Sequence, residues 1–251
     1  MIPYLHLGPL QLPTFGLMVA LALITAAYVL QADFDRRGLH TDAFTMITVA
    51  GLLGIFGAKL YHLLESPAEF FADPVHLLFS RYGFAWFGGF VGGFGAMVFM
   101  GWRAKLPMWE FLDACSPAAS FGYAIGRIGC FLSGDGDYGK PTSLPWGMSF
   151  PNGVVPTTER VHPAPLYELL IWSAIGWLLW RLGARLMKSR AHAGEIFCYY
   201  LILTGVARFL VEIIRINPPW IWGMSNAQVA SLCSVLTGVG LLWSLRFKQR
   251  A

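Results

Sequence analysis

Arg208, Glu212 and Arg215 are spaced i, i+4 and i+7 in an otherwise apolar run. That spacing sets all three on one helix face, with Glu212 able to hold either guanidinium. Arg127, Lys59 and Glu168 each interrupt a different apolar run. An ionisable side chain inside a membrane-spanning helix costs about 2.5–3.5 kcal/mol at the helix centre, so each such residue calls for a function or a partner. A guanidinium is a planar fork of donors that keeps its charge at any accessible pH, and two of them at one level suit a phosphate or another anion. The competing structural reading is snorkelling together with ion pairs such as Arg127 with Glu168.

The elements that must position these charges are helices in a bilayer. The chain has 251 residues, 56% hydrophobic and 13% charged, with a mean hydropathy of +0.55, too apolar for a soluble domain of this size. Each crossing needs roughly 20 apolar residues. Such stretches are expected at 12–31, 42–64, 84–101, 109–133, 163–182, 194–214 and 225–245. The N-terminal segment before the first of them holds no Lys or Arg, so it lacks the basic region of a secretory signal peptide and the first run is read as a retained span. The four cysteines lie in apolar stretches without CxxC spacing, which suggests neither a disulfide framework nor a metal site. The net charge of +4 comes without a basic stripe interleaved with aromatics, so no nucleic-acid partner is expected.

Lys and Arg in alternate loops number eleven on one side (Arg36, Arg37, Arg103, Lys105, Arg181, Arg185, Lys188, Arg190, Arg246, Lys248, Arg250) against four on the other (Arg81, Lys140, Arg160, Arg215). The positive-inside rule then places the N-terminus outside and the C-terminus in the cytoplasm. The fold class expected is an all-α integral membrane protein with about seven transmembrane helices. Residues 1–251 form a single membrane domain with an outward-facing loop region at about 134–162. The prolines of that loop, Pro141, Pro145, Pro151 and Pro156, exclude a long regular helix, while Trp146, Met148 and Phe150 give it apolar surface to fold over a site or lie on the membrane interface. With this topology Arg127 lies about six residues before the outer end of its span, roughly 9 Å deep at 1.5 Å per residue. Arg208, Lys59 and Glu168 fall at a similar level. Gly51, Gly54 and Gly57 in one span, and Gly88, Gly89, Gly92, Gly93 and Gly95 in another, permit close helix packing or an acyl groove between helices.

The run from Gly126 through Arg127, Gly129, Cys130 and Gly134 to Asp137, Tyr138 and Gly139 resembles the signature of the bacterial prolipoprotein diacylglyceryl transferases. Three further segments agree in order: His162 to Glu168, which includes Tyr167; Arg208 to Arg215; and Gly223 to Gln228, which includes Ser225. The resemblance implies transfer of diacylglyceryl from phosphatidylglycerol to the lipobox cysteine thiol of a preprolipoprotein, at the outer face of the bacterial inner membrane, with release of glycerol phosphate. It implies no cofactor and no metal. Its partners would be phosphatidylglycerol, lipobox signal segments and membrane lipids.

By the same resemblance Arg127 and Arg208 would hold the phosphate, Glu212 would orient Arg208, and Gly126, Gly129, Gly134 and Gly139 would shape the backbone around the headgroup. Asp137, Tyr167, Arg215, Ser225 and Gln228 are further candidates for substrate binding, Ser225 also reading as a helix cap. Two departures stand out. Phe87 precedes Gly88 and Gly89 where many members have a histidine, and Cys130 stands where many have asparagine. A general base for the thiol, if one is required, would come from His62, His162, Asp137 or Glu168. The alternatives are a non-catalytic relative that binds an anionic lipid or a lipoprotein signal segment, and a small membrane transporter.

Overall fold

The computed structural model describes residues 1–80, 83–187 and 192–250; Arg81, Lys188 and Arg190 of the loop count lie outside the described residues. Helices occupy the places of all seven expected spans: α1 (Thr14–Arg37), α2 (Ala43–Glu65), α5 (Trp86–Arg103), α6 (Met108–Ser133), α7 (Ala164–Leu186), α8 (Glu195–Ile214) and α9 (Asn226–Arg250). Two short helices, α3 (Pro67–Ala72) and α4 (Pro74–Phe79), fill the connection between α2 and α5. Five helices, α1, α2, α7, α8 and α9, are long and apolar enough to cross a membrane. The other two are less apolar for identifiable reasons: α5 is 18 residues diluted by glycine, and α6 carries Glu110, Asp113 and Arg127. Helix is not the whole of it. Two antiparallel ribbons, β1 (Tyr4–Leu7) with β2 (Leu10–Pro13) and β3 (Met148–Phe150) with β4 (Thr157–Val161), were not expected from the apolar pattern.

The chain divides into two compact units, one formed by Met1–Asp33 with Trp109–Ala251 and the other by Phe34–Met108. In the smaller unit, α2 starts on Asp42, whose carboxylate accepts from the amides of Phe44 and Thr45 at 3.0 and 3.1 Å. The glycines of α2 and α5 form the seam between these two helices. A Cβ on Gly88 would lie 2.2 Å from the Gly57 carbonyl oxygen, and one on Gly92 would lie 2.3 Å from that of Leu53. The backbones therefore fill the space that side chains would otherwise hold, which is the helix-packing reading and leaves no acyl groove along this seam. Lys59 is buried here, donating to the Ser80 carbonyl at 3.1 Å and to its hydroxyl at 2.8 Å.

In the larger unit the N-terminal ribbon leads straight into α1, fastened where the Thr14 hydroxyl donates to the Pro3 carbonyl at 3.0 Å. Small residues bring α1 against α6, Gly122 facing Ala22 and Ala26. Pro117 lies inside α6. The hydroxyls of Ser116 and Ser120 bond back one turn, to Leu112 and Ser116, beside the break it makes in the helical ladder. Ala124, Trp172, Ile175, Leu179, Ile196 and Ala207 form the core shared by α6, α7 and α8. The region 134–162 is folded, with Tyr138, Phe150 and Val161 buried together. The indole of Trp146 remains half exposed.

Candidate functional site

Glu168 opens the first turns of α7 and is fully buried. A lone buried carboxylate would be neutral or would unfold the protein; this one is surrounded by donors. Its Oε2 lies 3.1 Å from Nε of Arg127 and 3.5 Å from Nη1 of Arg215. Its Oε1 accepts from Nη1 of Arg208 at 2.7 Å and from the Tyr123 hydroxyl at 2.9 Å. Three arginines from α6 and α8 thus meet on one carboxylate.

The neighbouring acids close the network. Glu212 lies one turn after Arg208 on α8, with Oε2 2.9 Å from Arg208 Nη2 and 3.7 Å from Arg215 Nε. Its other oxygen accepts from Ser225 Oγ at 2.8 Å and from the Asn217 amide. Asp137, in the segment that follows α6, pairs with both Arg127 and Arg215. Burial alone would raise the Asp137 carboxyl, but Arg127 and then Arg215 outweigh it and bring it down to about 2. Burial works against the Arg215 charge as well, and Asp137 and Glu168 hold it above the ordinary arginine value. Burial, followed by the charge of Asp137, pushes Asp135 up.

The expected cationic fork is therefore balanced: Arg127, Arg208 and Arg215 face Asp137, Glu168 and Glu212. What remains for a ligand is the unused donors. Arg127 donates from Nη1 to Asp137 and Cys130 and from Nη2 to Tyr123, while its Nε faces Glu168 as an ion pair. Arg208 donates one N–H to Glu168 and meets Glu212 as an ion pair in which Oε2 of Glu212 accepts no hydrogen bond, so four of its five N–H groups make no hydrogen bond among the described residues. Its side chain is also the most exposed of the three, at 21% against 14% for Arg127 and 6% for Arg215. Cys130, Asp135 and Asp137 bring side-chain donor atoms within 4.8 Å of one another. Both oxygens of Asp137 are already taken there by guanidiniums of Arg127 and Arg215.

The signature glycines differ in what they face. A Cβ on Gly129 would meet Phe15 and Met18 of α1 at 3.1–3.4 Å. Gly134 has φ +59° and abuts Gly153, where a side chain is both strained and blocked. Gly139 lies between the Ile214 carbonyl and His162, bridged to Arg215 and donating its amide to the His162 carbonyl at 2.8 Å. Gly126 alone of these four faces open space.

Of the remaining candidates, His162 places Nδ1 3.2 Å from the Tyr167 hydroxyl, which also accepts from the Trp146 indole at 2.8 Å. Ser225 and Gln228 form a reciprocal cap on α9: the Ser225 amide donates to Gln228 Oε1 at 3.0 Å and the Gln228 amide to Ser225 Oγ at 3.3 Å. His62 belongs to the smaller unit, its ring closing on Gly83. Two members of the cluster were absent from the sequence reading. Tyr123 could have been found as the residue one turn before Arg127 on the same face; Asn217, beyond the end of α8, carries no such periodic signal.

A family model described as prolipoprotein diacylglyceryl transferase matches residues 3–244. Curated relatives named phosphatidylglycerol–prolipoprotein diacylglyceryl transferase align along nearly the whole chain. The one from Clostridium tetani (strain Massachusetts / E88) is 29% identical over 244 residues, covering 96% of this chain and 96% of the relative. The one from Solidesulfovibrio magneticus is 32% identical over 251 residues, covering 94% and 91%. The one from Synechococcus elongatus is 29% identical over 255 residues, covering 97% and 87%.

Proposed function

The chain belongs to the prolipoprotein diacylglyceryl transferase family, and from that membership we propose that it moves diacylglyceryl from phosphatidylglycerol to the lipobox cysteine of a preprolipoprotein. The observation that carries the reading is the convergence of Arg127, Arg208 and Arg215 on buried Glu168. In the transfer, the acceptor sulfur forms a bond to the glyceryl carbon while the bond from that carbon to the phosphate oxygen breaks. The electron pair leaves with the phosphate, so a diester with one negative charge becomes a glycerol phosphate with one more. Groups that meet charge as it develops lower the barrier most. The spare donors of Arg208 make it the principal hand on that phosphate, and Arg127 is the fixed second contact.

The acceptor thiol must lose its proton to react. Asp137 is held near 2 by Arg127 and Arg215, which leaves it without a proton affinity suited to a thiol, and Glu168 is enclosed by three guanidiniums. In our reading the base is His162, one residue of backbone from Arg215 through Gly139, with Tyr167 fixing one ring nitrogen. His162→Gln is expected to lower kcat for transfer while leaving phosphatidylglycerol binding in place. Unchanged transfer there, with transfer lost in His62→Gln instead, would move the role to His62.

Seven crossings, an outside N-terminus, a cytoplasmic C-terminus and an outward-facing site in the bacterial inner membrane complete the proposal. The Lys and Arg bias and the helices at all seven places support it. The deciding assay is transfer of labelled diacylglyceryl from phosphatidylglycerol to a lipobox peptide by purified protein, beside Arg127→Ala and Arg208→Ala. Transfer abolished by either substitution supports the reading. Folded protein that binds phosphatidylglycerol without transfer would instead support a binding relative and point to Phe87, which stands where the family's histidine is expected.

A further inference from the structure

Tyr123 lies one turn before Arg127 on α6 and touches it twice. Its ring lies beneath the guanidinium, 4.6 Å from centroid to Cζ, and is backed on Trp172 with centroids 4.6 Å apart. Its hydroxyl accepts from Nη2 of Arg127 and donates to Glu168 Oε1 at 2.9 Å. A guanidinium only donates and an ionised carboxylate only accepts, so the direction of this short chain is fixed. Glu168 Oε1 is also the atom that takes Arg208 at 2.7 Å. One phenolic oxygen therefore links Arg127 to the oxygen that holds Arg208, and the ring fixes the plane in which Arg127 lies. Of the four Nη hydrogens of Arg127, the one that makes no hydrogen bond among the described residues is the second one on Nη2, the nitrogen that Tyr123 holds. Its direction follows from the planar geometry of the group.

We propose that Tyr123 is a positioning residue for the transfer reaction, setting the plane of Arg127 and its distance from Arg208 so that their remaining donors meet the phosphate as it gains charge. This rests on the transferase reading above. A contact that strengthens with developing charge acts on the chemical step more than on substrate capture.

The test is Tyr123→Phe, which keeps the ring, its stacking on Trp172 and its place under the guanidinium and removes only the oxygen, beside Tyr123→Leu, which removes the ring as well. With phosphatidylglycerol varied, Tyr123→Phe is expected to lower kcat about tenfold with KM changed less than about twofold, and Tyr123→Leu to lower kcat about a hundredfold, the scale of a small misplacement of a reacting group. A purely structural tyrosine would reduce the yield or thermal midpoint of folded enzyme and leave kcat per folded molecule unchanged. Unchanged kcat in Tyr123→Phe, or a raised KM at unchanged kcat, overturns the proposal; should Tyr123→Leu not fold, Tyr123→Phe decides alone. If the unaltered protein transfers nothing, the transferase reading fails, and Tyr123 is then judged by thermal stabilisation with phosphatidylglycerol against diacylglycerol. Headgroup-dependent stabilisation lost in Tyr123→Phe would keep the positioning role, and equal stabilisation in both proteins would end it.

Discussion

The two ends of α8 hold similar residue types in different arrangements. At its start, Asp113 of α6 accepts from the amides of Gly194 and Phe197 at 2.8 and 2.9 Å, and Glu195 pairs with half-exposed Arg246 at 3.0 Å and with His192. Here a carboxylate finishes a helix by satisfying its orphan amides, and the partner cation faces solvent. At the other end, buried Arg215 and partly buried Arg208 pack against Glu168, Glu212 and Asp137. Nothing about ending a helix requires three arginines at one depth. The difference separates charge that completes the backbone from charge that the proposed reaction would use.

The comparison can be broken most directly at Glu168. Glu168→Ala leaves three guanidiniums without their shared carboxylate and is expected to destabilise by about 3–5 kcal/mol, the usual cost of removing one partner from a buried ion pair. Chemical unfolding in detergent measures it, and a loss no larger than that of Asp113→Ala would erase the distinction between the two ends. Arg208→Ala is gentler on the fold, because each carboxylate keeps another arginine. Its effect should fall on transfer, by roughly 10²–10³ in kcat, whereas Arg246→Ala should leave transfer within about twofold.

Acid sharpens the comparison further. The folded Asp137 carboxyl is depressed to about 2 from its ordinary 3.8, so its contribution is whole above that ordinary value and disappears as pH falls through about 2. Thermal midpoints recorded from about pH 5 down to 2 should show this step in the parent and lack it in Asp137→Asn. Asp113→Ala, which removes the two acceptors at the head of α8, should cost about 0.5–2 kcal/mol with little change in transfer. Arg246→Ala should be the smallest, about 0.2–1 kcal/mol, as expected for a solvent-facing pair, and added salt should reduce the difference.

Much of the arginine-rich end was legible before any coordinates. Arg208, Glu212 and Arg215 share a face because helical spacing dictates it, and counting residues from the span ends put Arg127, Arg208 and Glu168 at one depth. The pairing of Arg127 with Glu168 and of Glu212 with the arginines of its own face was legible as well, but the part of Asp137 was not, since depth says where a charge lies and not which loop returns to meet it. Asp137 reaches Arg127 and Arg215 through a turn-rich segment in which no period repeats. The β3–β4 ribbon was missed for the same reason, its few apolar residues being too short a run to register against the spans. Depth alone groups Lys59 with the buried arginines, whereas in the structure it donates to Ser80, within the smaller unit. Ser225 was legible as a cap, but its second bond, to Glu212, depends on where α9 begins relative to α8.

Gly126 has a use that its packed neighbours lack. A Cβ there would meet no heavy atom within 4 Å, so at this one position alanine adds a methyl group without displacing a neighbour. Alanine, valine and leucine in turn form a steric caliper, with the thermal midpoint of each recorded beside its turnover. On the transferase reading proposed above, the size at which turnover stops while the fold persists would read out, in methyl groups, how closely the donor lipid must approach the arginine.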